Sequence, residues 1–239
     1  MTDFTTELRA AAEAAGIALT EEQLLRFTRY DALLVDWNER MNLTALTEPK
    51  DVAVKHMIDS LTAYDAALFS GAPRVIDVGT GAGFPGLPLK IYDPTIQLTL
   101  MDSLAKRLTF LEAVIDDLGL TGVTCVHARA EDGARDMHHR ERYDLAVSRA
   151  VARLPVLLEY TLPFVKKGGH LIALKGRTAE EEAKDAKRAL KLLGGRLETI
   201  RPVTLPGLSD MRAVLTITKI APTPKAYPRK AGTPAKKPL

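Results

Sequence analysis

The chain has 239 residues, 46% of them hydrophobic and 26% charged, which is the composition of an ordinary globular protein with one good-sized domain or a domain plus a small appendage. Its one cysteine, Cys125, cannot form an internal disulfide, and no apolar run approaches the roughly 20 residues that a membrane span needs. We therefore expect a cytoplasmic protein with no membrane contact. The net charge is +3 at pH 7, but the charges are unevenly placed along the chain.

The first 66 residues have the pattern of an N-terminal helical segment. Thr20 and Gln23 have the spacing of a capping box, in which two side chains satisfy free backbone groups at the start of a helix. Apolar side chains follow at near-helical spacing, and Pro49 stands where the first turn of a further helix tolerates a proline.

From Pro73 onward, short apolar runs alternate with helical patterns. This alternation predicts an α/β fold, with a mainly parallel sheet and helices on both faces. Ser103 is placed to cap the helix after the second strand. The last two runs are joined without a helix, so we expect that pair to be antiparallel. The predicted strands are Arg74–Val78, Ile96–Met101, Val123–His127, Tyr143–Val147, His170–Lys175, Arg196–Val203 and Arg212–Ile220.

A glycine-rich segment, DVGTGAGFPG at 77–86, directly follows the first strand. Glycines allow a turn with positive φ and let a ligand lie against bare N–H groups. Gly81, Gly83 and Gly86 fit the GxGxxG fingerprint of dinucleotide enzymes. Gly79, Gly81 and Gly83, with Asp77 inside the strand, fit the DxGxGxG pattern of S-adenosylmethionine enzymes. The second register fits better, because it begins where the strand ends.

Polar residues after the next three strands extend the same hypothesis. Asp102 ends the second strand, at the distance expected for a carboxylate that accepts both ribose hydroxyls. Ala130 and Glu131 follow the third strand, where an adenine edge would meet them, and the alternative is an exposed helix start at 129–132, where the helix dipole favours acids. Arg149 follows the fourth strand and either binds the methionine carboxylate through its fork of N–H groups or begins a helix at the surface.

Taken together, the motifs resemble one family. They are RVIDVGTGAGFPG at 74–86, DSLAKR at 102–107, SRA at 148–150 and ALKG at 173–176, preceded by WN at 37–38, NLT at 42–44 and HMIDS at 56–60. This set is similar to the ribosomal small-subunit methyltransferase G family, over residues 24–220. The resemblance implies a Rossmann-like class I S-adenosylmethionine methyltransferase domain at 67–220, a helical segment at 1–66 and a basic tail at 221–239. Phe84 stands where many members have an aliphatic residue.

The resemblance implies methylation of N7 of guanine-527 in the 530 loop of 16S rRNA, on the assembled or nearly assembled small subunit. Guanine N7 has a free lone pair, so catalysis reduces largely to in-line placement and exclusion of water. Arg149 is then the candidate catalytic residue, through placement of the cofactor S-adenosylmethionine. The candidate cofactor-binding residues are Asp77, Gly79, Gly81, Gly83, Phe84, Asp102, Ala130, Glu131 and Arg149.

Several polar residues have open roles. His56 and Asp59, one helical turn apart, either shape the substrate mouth or pair with the neighbouring domain, and the second interpretation is favoured. Asn42 is a turn or capping residue unless it contacts a base. His138 and His139 lack metal-ligand spacing, so no metal site is predicted.

The chain ends in a basic, proline-rich tail. Residues 219–239 contain six lysines and arginines and no acid, and without those six charges the net charge of +3 becomes −3. Its five prolines are expected to keep the tail from forming a helix. Such a tail suits an RNA partner or is a solvated, disordered terminus. The candidate RNA-binding residues are Lys106, Arg107, Lys175, Arg177, Arg212, Arg229 and Lys230.

Two other functions stay open at this point. The overlapping glycine register allows a nicotinamide-dependent oxidoreductase, which would bind a dinucleotide. A non-catalytic rRNA-binding protein could also have kept the fold, with a degenerate cofactor pocket. Nothing in the sequence indicates a coiled coil or a large exposed apolar stripe, so we expect a monomer.

Overall fold

A computed structural model describes residues 3–239 of the chain and shows one seven-stranded sheet. Met1 and Thr2, the start of the predicted N-terminal segment, lie outside the described residues. The strands are β1 (Arg74–Val78), β2 (Gln97–Asp102), β3 (Val123–His127), β4 (Tyr143–Arg149), β5 (Val165–Lys175), β6 (Gly195–Val203) and β7 (Arg212–Lys219).

The strands lie in the order β3-β2-β1-β4-β5-β7-β6. Neighbours among β1 to β5 are parallel, and β7 runs antiparallel to both β5 and β6. This confirms the prediction of a mainly parallel sheet in which the last strand of the sequence, β7, is antiparallel to its neighbours. Because the connections from β1 and β4 leave in opposite directions along the sheet, a crevice opens at the carboxyl ends of these two strands.

Helices cover both faces of the sheet. The longer ones are α1 (Phe4–Ala14), α2 (Glu21–Met41), α5 (Gly86–Tyr92), α6 (Ala105–Asp117), α8 (Leu154–Thr161), α9 (Ala179–Asp185) and α10 (Lys187–Leu193). Shorter turns are α3 (Pro49–Val52), a π-helical segment (Ala53–Ile58), α4 (Asp59–Leu61), α7 (Ala130–Gly133), a 3₁₀ turn (Leu162–Phe164) and α11 (Thr233–Lys236). Within residues 3–239, no helix has the length and apolarity to cross a membrane.

Two apolar clusters form the core, one on each face of the sheet. Successive strand residues point to opposite faces, so Val75 packs in one cluster and Ile76 in the other. The first cluster also contains Leu8, Phe27 and Met57 of the N-terminal helices, all fully buried. The N-terminal segment therefore shares its core with one face of the sheet.

The N-terminal helices have the signals that their sequence predicts. The Thr20 hydroxyl accepts from Gln23 N–H while the Gln23 side chain accepts from Thr20 N–H, which confirms the capping box. Pro49 lies in the first turn of α3, and Asn42 ends α2 in the left-handed conformation (φ 49°). Asn42 is thus a capping residue, the default interpretation of its position.

Two local predictions are wrong. Ser103 does not cap α6, because the N-cap residue of this helix is Leu104 and no side chain caps its first turn. The carboxylate of Asp102 accepts the N–H of Leu104 itself at 2.9 Å. The tail does contain a helical turn, α11, because Pro234 falls in the first turn, where a proline needs no N–H partner. Pro228 and Pro234 are buried, so this tail packs on the protein and is not a solvated terminus.

Candidate active site

The glycine loop turns sharply at the end of β1. The N–H groups of Gly79 and Thr80 both donate to the carbonyl of Met101 at the end of β2, at 2.9 and 3.1 Å. The residues with positive φ are Gly79, Gly81 and Gly83, whereas Gly86 has ordinary φ and begins α5. The left-handed positions therefore follow the register of S-adenosylmethionine enzymes.

Asp77 holds the loop from within. Its Oδ2 accepts from the Thr80 hydroxyl at 2.7 Å and from the Gly86 N–H at 2.8 Å, which ties the start of the loop to the helix that follows. The side chain is buried, and burial raises the pKa of this carboxyl to about 7. Its Oδ1 has no hydrogen-bond partner. Asp77 thus holds the shape of the loop, and it is not among the residues that line the cavity beside the loop.

A cavity of about 410 Å³ opens beside the loop, at the carboxyl ends of β1, β2 and β4. Four of the predicted cofactor-binding residues line it: Gly79, Asp102, Ala130 and Glu131. Gly81, Gly83 and Phe84 are not among the residues that line it. Gly83 is needed for packing, since an added Cβ would lie 2.5 Å from the Tyr30 hydroxyl. The other lining residues are Val78, Met101, Ser103, Arg107, Ala128, Arg129, Ala150, Val151, Tyr160, Gly232 and Ala235.

Asp102 is fixed at the base of this cavity. Its side chain is nearly buried, and its Oδ2 accepts from Gly81 N–H at 3.0 Å. Arg107, predicted to bind RNA, instead donates to the same oxygen at 3.2 Å and lines the cavity. A carboxylate has about four lone-pair positions, so a ribose hydroxyl would compete chiefly with the long and half-exposed Arg107 contact.

Arg149 points from the end of β4 into the N-terminal segment. One of its terminal nitrogens donates to Asp59 Oδ2 and to the carbonyl of Lys55, both at 2.8 Å, and the other lies 3.0 Å from His56 Nδ1. The guanidinium also lies over the Phe84 ring, 5.0 Å from its centre. The sequence does not predict these partners for Arg149, although the spacing of His56 and Asp59 predicts that both lie on one face of a helix.

His56 joins these groups. Its ring stacks on Phe84 with 4.4 Å between centroids, and its Nε2 lies 2.8 Å from the Thr44 hydroxyl. Burial, with the nearby charge of Arg149, lowers the pKa of His56 to about 4. A neutral ring at physiological pH stacks on an apolar neighbour without the cost of burying a charge. The structure thus places His56 between the N-terminal segment and the glycine loop.

A second cavity, of about 320 Å³, adjoins the first, and Ala150 and Val151 line both. Three candidates line it: Arg149, Lys175 and Arg212. Arg212 pairs with Asp59 Oδ1 at 3.2 Å, so this carboxylate bridges two arginines. Arg177, two residues after the end of β5, lines a further cavity that it shares with Arg212.

The remaining RNA-binding candidates lie apart from this cluster. Lys106 is exposed on α6 and approaches the carbonyl of Met41. Arg229 is paired with the buried Glu159, whereas Lys230 beside it is exposed. Cys125 lies inside β3, and burial raises the pKa of its thiol to about 11, as befits a small apolar residue and not a nucleophile. In the part of the chain that the structure describes, no group of three His, Cys, Asp or Glu could hold a metal ion.

Comparison with known sequences gives one consistent result. The family model described as rRNA small subunit methyltransferase G matches residues 23–206. A protein named ribosomal RNA small subunit methyltransferase G from Desulforamulus reducens is 50% identical over 239 residues, covering all of both chains. A protein of the same name from Leuconostoc mesenteroides is 51% identical over 231 residues and covers 96% of each chain.

Solved structures agree with the fold. The M. jannaschii TYW2 complex with AdoMet matches with a TM-score of 0.53 at 17% identity, over 69% of this chain and 76% of that one. A 16S rRNA (adenine(1408)-N(1))-methyltransferase with SAM from Catenulisporales acidiphilia matches with a TM-score of 0.51 at 16% identity, over 70% of this chain and 92% of that one. At such identities the likeness concerns the fold, which is that of class I methyltransferases.

Proposed function

Since the chain belongs to the ribosomal RNA small subunit methyltransferase G family, we propose that it methylates N7 of a guanine in 16S rRNA with S-adenosylmethionine as methyl donor. The observation that carries the proposal is the pair of adjoining cavities at the carboxyl ends of β1 and β4. The first is lined by the glycine loop, Asp102 and Glu131, and the second by Arg149, Lys175 and Arg212. The acceptor position implied by the family is guanine-527 of the 530 loop.

The residues of the first cavity fit the cofactor. Gly79 lines the cavity with its backbone, and the carboxylates of Asp102 and Glu131 can accept hydrogen bonds from ribose hydroxyls and an adenine amine. When bound, S-adenosylmethionine supplies a methyl group already activated on a sulfonium sulfur. The left-handed register of the loop disfavours the alternative of a nicotinamide-dependent oxidoreductase. An intact cavity with both carboxylates in place disfavours a non-catalytic rRNA-binding protein.

Methyl transfer to guanine N7 requires little proton transfer by the protein. Guanine N7 carries an in-plane lone pair, so no base has to remove a proton before attack. The chain's own residues then have to orient the guanine and the methyl donor in line and exclude water, which can supply several kcal/mol of the barrier reduction. Ala150 and Val151, shared by the two cavities, mark where the two reactants would meet.

We propose that Arg149 positions the methionine end of the cofactor, while Asp59, His56 and the Lys55 carbonyl hold its guanidinium. Loss of a charged hydrogen bond costs about 1.5–3 kcal/mol, so Arg149→Ala should weaken S-adenosylhomocysteine binding by roughly tenfold to a hundredfold. Calorimetry would measure this, with unfolding of the free protein as a check on folding. Arg196→Ala, at an exposed site on β6, is the matched control. Equal affinity of both variants and the unaltered protein would refute the role.

Arg177 is exposed beside the second cavity, where it can contact RNA phosphates. Lys175 and Arg212 line the cavity wall but are already paired, Lys175 with Glu182 at 2.8 Å and Arg212 with Asp59 at 3.2 Å. We further propose that the acceptor is the small ribosomal subunit, which would place the reaction in the cytoplasm, and that one chain suffices. The deciding experiment is methyl transfer from labelled S-adenosylmethionine to small subunits lacking the modification. Labelled 7-methylguanosine in 16S rRNA is the expected product. Binding of S-adenosylhomocysteine without label in RNA would point to another acceptor.

A further inference from the structure

The C-terminal tail is clamped to helix α8 by a charge pair. Arg229 reaches Glu159 with Nη2 2.6 Å from Oε2 and Nε 2.9 Å from Oε1, and its backbone N–H donates to Oε1 at 2.7 Å. Glu159 is completely buried. A buried carboxylate requires such partners, because an unpaired charge away from water is very costly. The clamp therefore fixes the direction in which the tail continues.

Two arginines that precede β4 hold the earlier part of the tail by its carbonyl groups. Arg140 donates to the carbonyls of Thr223 and Tyr227 at 2.8 and 2.9 Å. Arg135 donates to the carbonyl of Pro228 at 2.8 Å. These contacts depend on the path of the backbone, so they guide the tail toward the carboxyl edge of the sheet.

Beyond the clamp, the tail reaches the cofactor cavity. The Gly232 N–H donates to Glu131 Oε1 at 2.8 Å, and Gly232 and Ala235 line the 410 Å³ cavity with Asp102. Tyr160, the residue after Glu159 in the sequence, lines it as well. Glu131 is nearly buried. One carboxylate thus bonds to the tail and borders the space that the cofactor would occupy.

We infer that residues 229–235, here called the strap, are part of the cofactor-binding site and close it on the side of Glu131. This inference rests on the proposed function, because it takes the 410 Å³ cavity to be the cofactor site. A ligand in that cavity would lie against both the glycine loop and the strap, so the strap would hinder its departure. The strap therefore lowers the rate of cofactor dissociation, and Glu131 couples the position of the strap to the ligand.

Two shortened chains separate the strap from the end of the tail. A chain ending at Ala231 lacks both Gly232 and Ala235, whereas a chain ending at Ala235 keeps them and lacks only the last four residues. Because affinity differences within one site arise mostly in the dissociation rate, we expect the shorter chain to release S-adenosylhomocysteine about tenfold or more faster. The longer chain should behave like the full protein within about twofold. Stopped-flow displacement gives the rates and calorimetry the dissociation constants.

A full-length variant makes the test independent of truncation. Gly232→Pro removes the N–H that Glu131 accepts and cannot adopt the φ of 81° found here. Gly232→Ala is the matched control: it shares the strain of a positive φ but keeps the N–H and meets no neighbour within 4 Å of an added Cβ, so it should lose less affinity. Unchanged release rates in both Gly232→Pro and the chain ending at Ala231 would overturn the inference. Failure of the full protein to bind S-adenosylhomocysteine would instead overturn the proposed function.

Discussion

The two ends of the chain reach the same site in different ways. The N-terminal helices bury Leu8, Phe27 and Met57 in the apolar cluster of the sheet and meet the site through His56 and Asp59. The tail meets it through a glycine N–H and is held by arginine contacts to its carbonyls, one charge pair and a few apolar side chains such as Tyr227 and Leu239. Extensive apolar burial makes the first segment part of the cooperative fold, whereas a more polar attachment can open locally.

The two ends of the chain are therefore suited to different tasks at the site. The N-terminal side fixes Arg149 in a rigid arrangement of ring, carboxylate and guanidinium, which suits a group that must orient a ligand. The tail covers a cavity that a ligand has to enter and leave, which suits an element of lower local stability. Damage on the N-terminal side should thus destabilise the whole protein, and damage to the tail should act on ligand exchange.

The largest effect is expected from Asp59→Ala. The nearly buried carboxylate lies 2.8 Å from Arg149 and 3.2 Å from Arg212, so its loss leaves two neighbouring cations without their partner. Breaking a buried pair in this way costs about 3–5 kcal/mol of unfolding free energy. Urea unfolding measures it. The control Asp51→Ala breaks a half-exposed pair with Lys55 and should cost well under 1 kcal/mol. If Asp59→Ala lowered the unfolding free energy as little as Asp51→Ala does, the N-terminal side would not differ from the tail in its contribution to global stability.

The next effect concerns pH. The pKa of His56 is lowered to about 4, from an ordinary 6.5, so the folded protein favours the neutral ring. The resulting stability is full above pH 6.5 and is lost as the pH falls toward 4, by up to about 3 kcal/mol. Asp77, with its pKa raised to about 7, acts in the opposite direction, because its contribution is lost as the pH rises from about 4 through 7.

Comparison with His56→Gln separates these two contributions. The difference in unfolding free energy between the unaltered protein and this variant should shrink between pH 6.5 and pH 4, since Asp77 is common to both. NMR titration of the His56 ring gives the pKa directly. A midpoint near 6.5 in the folded protein would show that the ring is not enclosed by the N-terminal side as described.

A smaller effect, confined to the tail, is expected from Arg229→Ala. It leaves Glu159 without its cation, but a released tail lets water reach that carboxylate, so we expect the free energy of opening the tail to fall by about 2 kcal/mol. Hydrogen exchange should rise along 221–239 and stay unchanged in β1. Lys225→Ala, at an exposed tail position, should leave both unchanged. Faster exchange throughout the sheet would mean that the tail belongs to the cooperative fold, as the N-terminal helices do.

The smallest effect is expected from the exposed lysine of the strap. Lys230→Ala should weaken binding to small-subunit RNA only about two- to threefold and lower the slope of log affinity against log salt by about 1, as for the loss of one phosphate contact. Lys166→Ala, at the opposite end of β5 from the cavities, is the control. An unchanged salt slope would make Lys230 a solvated charge and leave the exposed Arg177 as the remaining phosphate contact beside the cavities.

Local signals in the sequence were enough for the sheet and the loop. Strands such as Arg74–Val78 are short apolar runs bounded by turn residues, and the three glycines from Gly79 to Gly83 have the positive φ that their spacing predicts. The cofactor-binding roles remain predictions, of which Gly79, Asp102, Ala130 and Glu131 now have a place on the cavity wall.

The contacts that were missed join residues far apart in the chain. Arg149 meets Asp59 across 90 positions and Glu131 meets Gly232 across 101. No local sequence signal links the two residues of either contact, because both contacts depend on how the two ends of the chain pack on the sheet. The same holds for Arg229, whose positive charge suggested RNA while its partner, Glu159, lies in an otherwise apolar helix.

The contact between Tyr30 and the glycine loop limits how the sequence can vary. Tyr30 is fully buried and its hydroxyl donates to the carbonyl of Ala82, directly above the bare backbone of Gly83. Any side chain at position 83 would collide with the Tyr30 hydroxyl, and a smaller residue at position 30 would leave the loop carbonyl without its donor. Helix α2 and the glycine loop would therefore have to be inherited together, and a chimera that takes them from relatives differing at these two positions should fail to bind its cofactor.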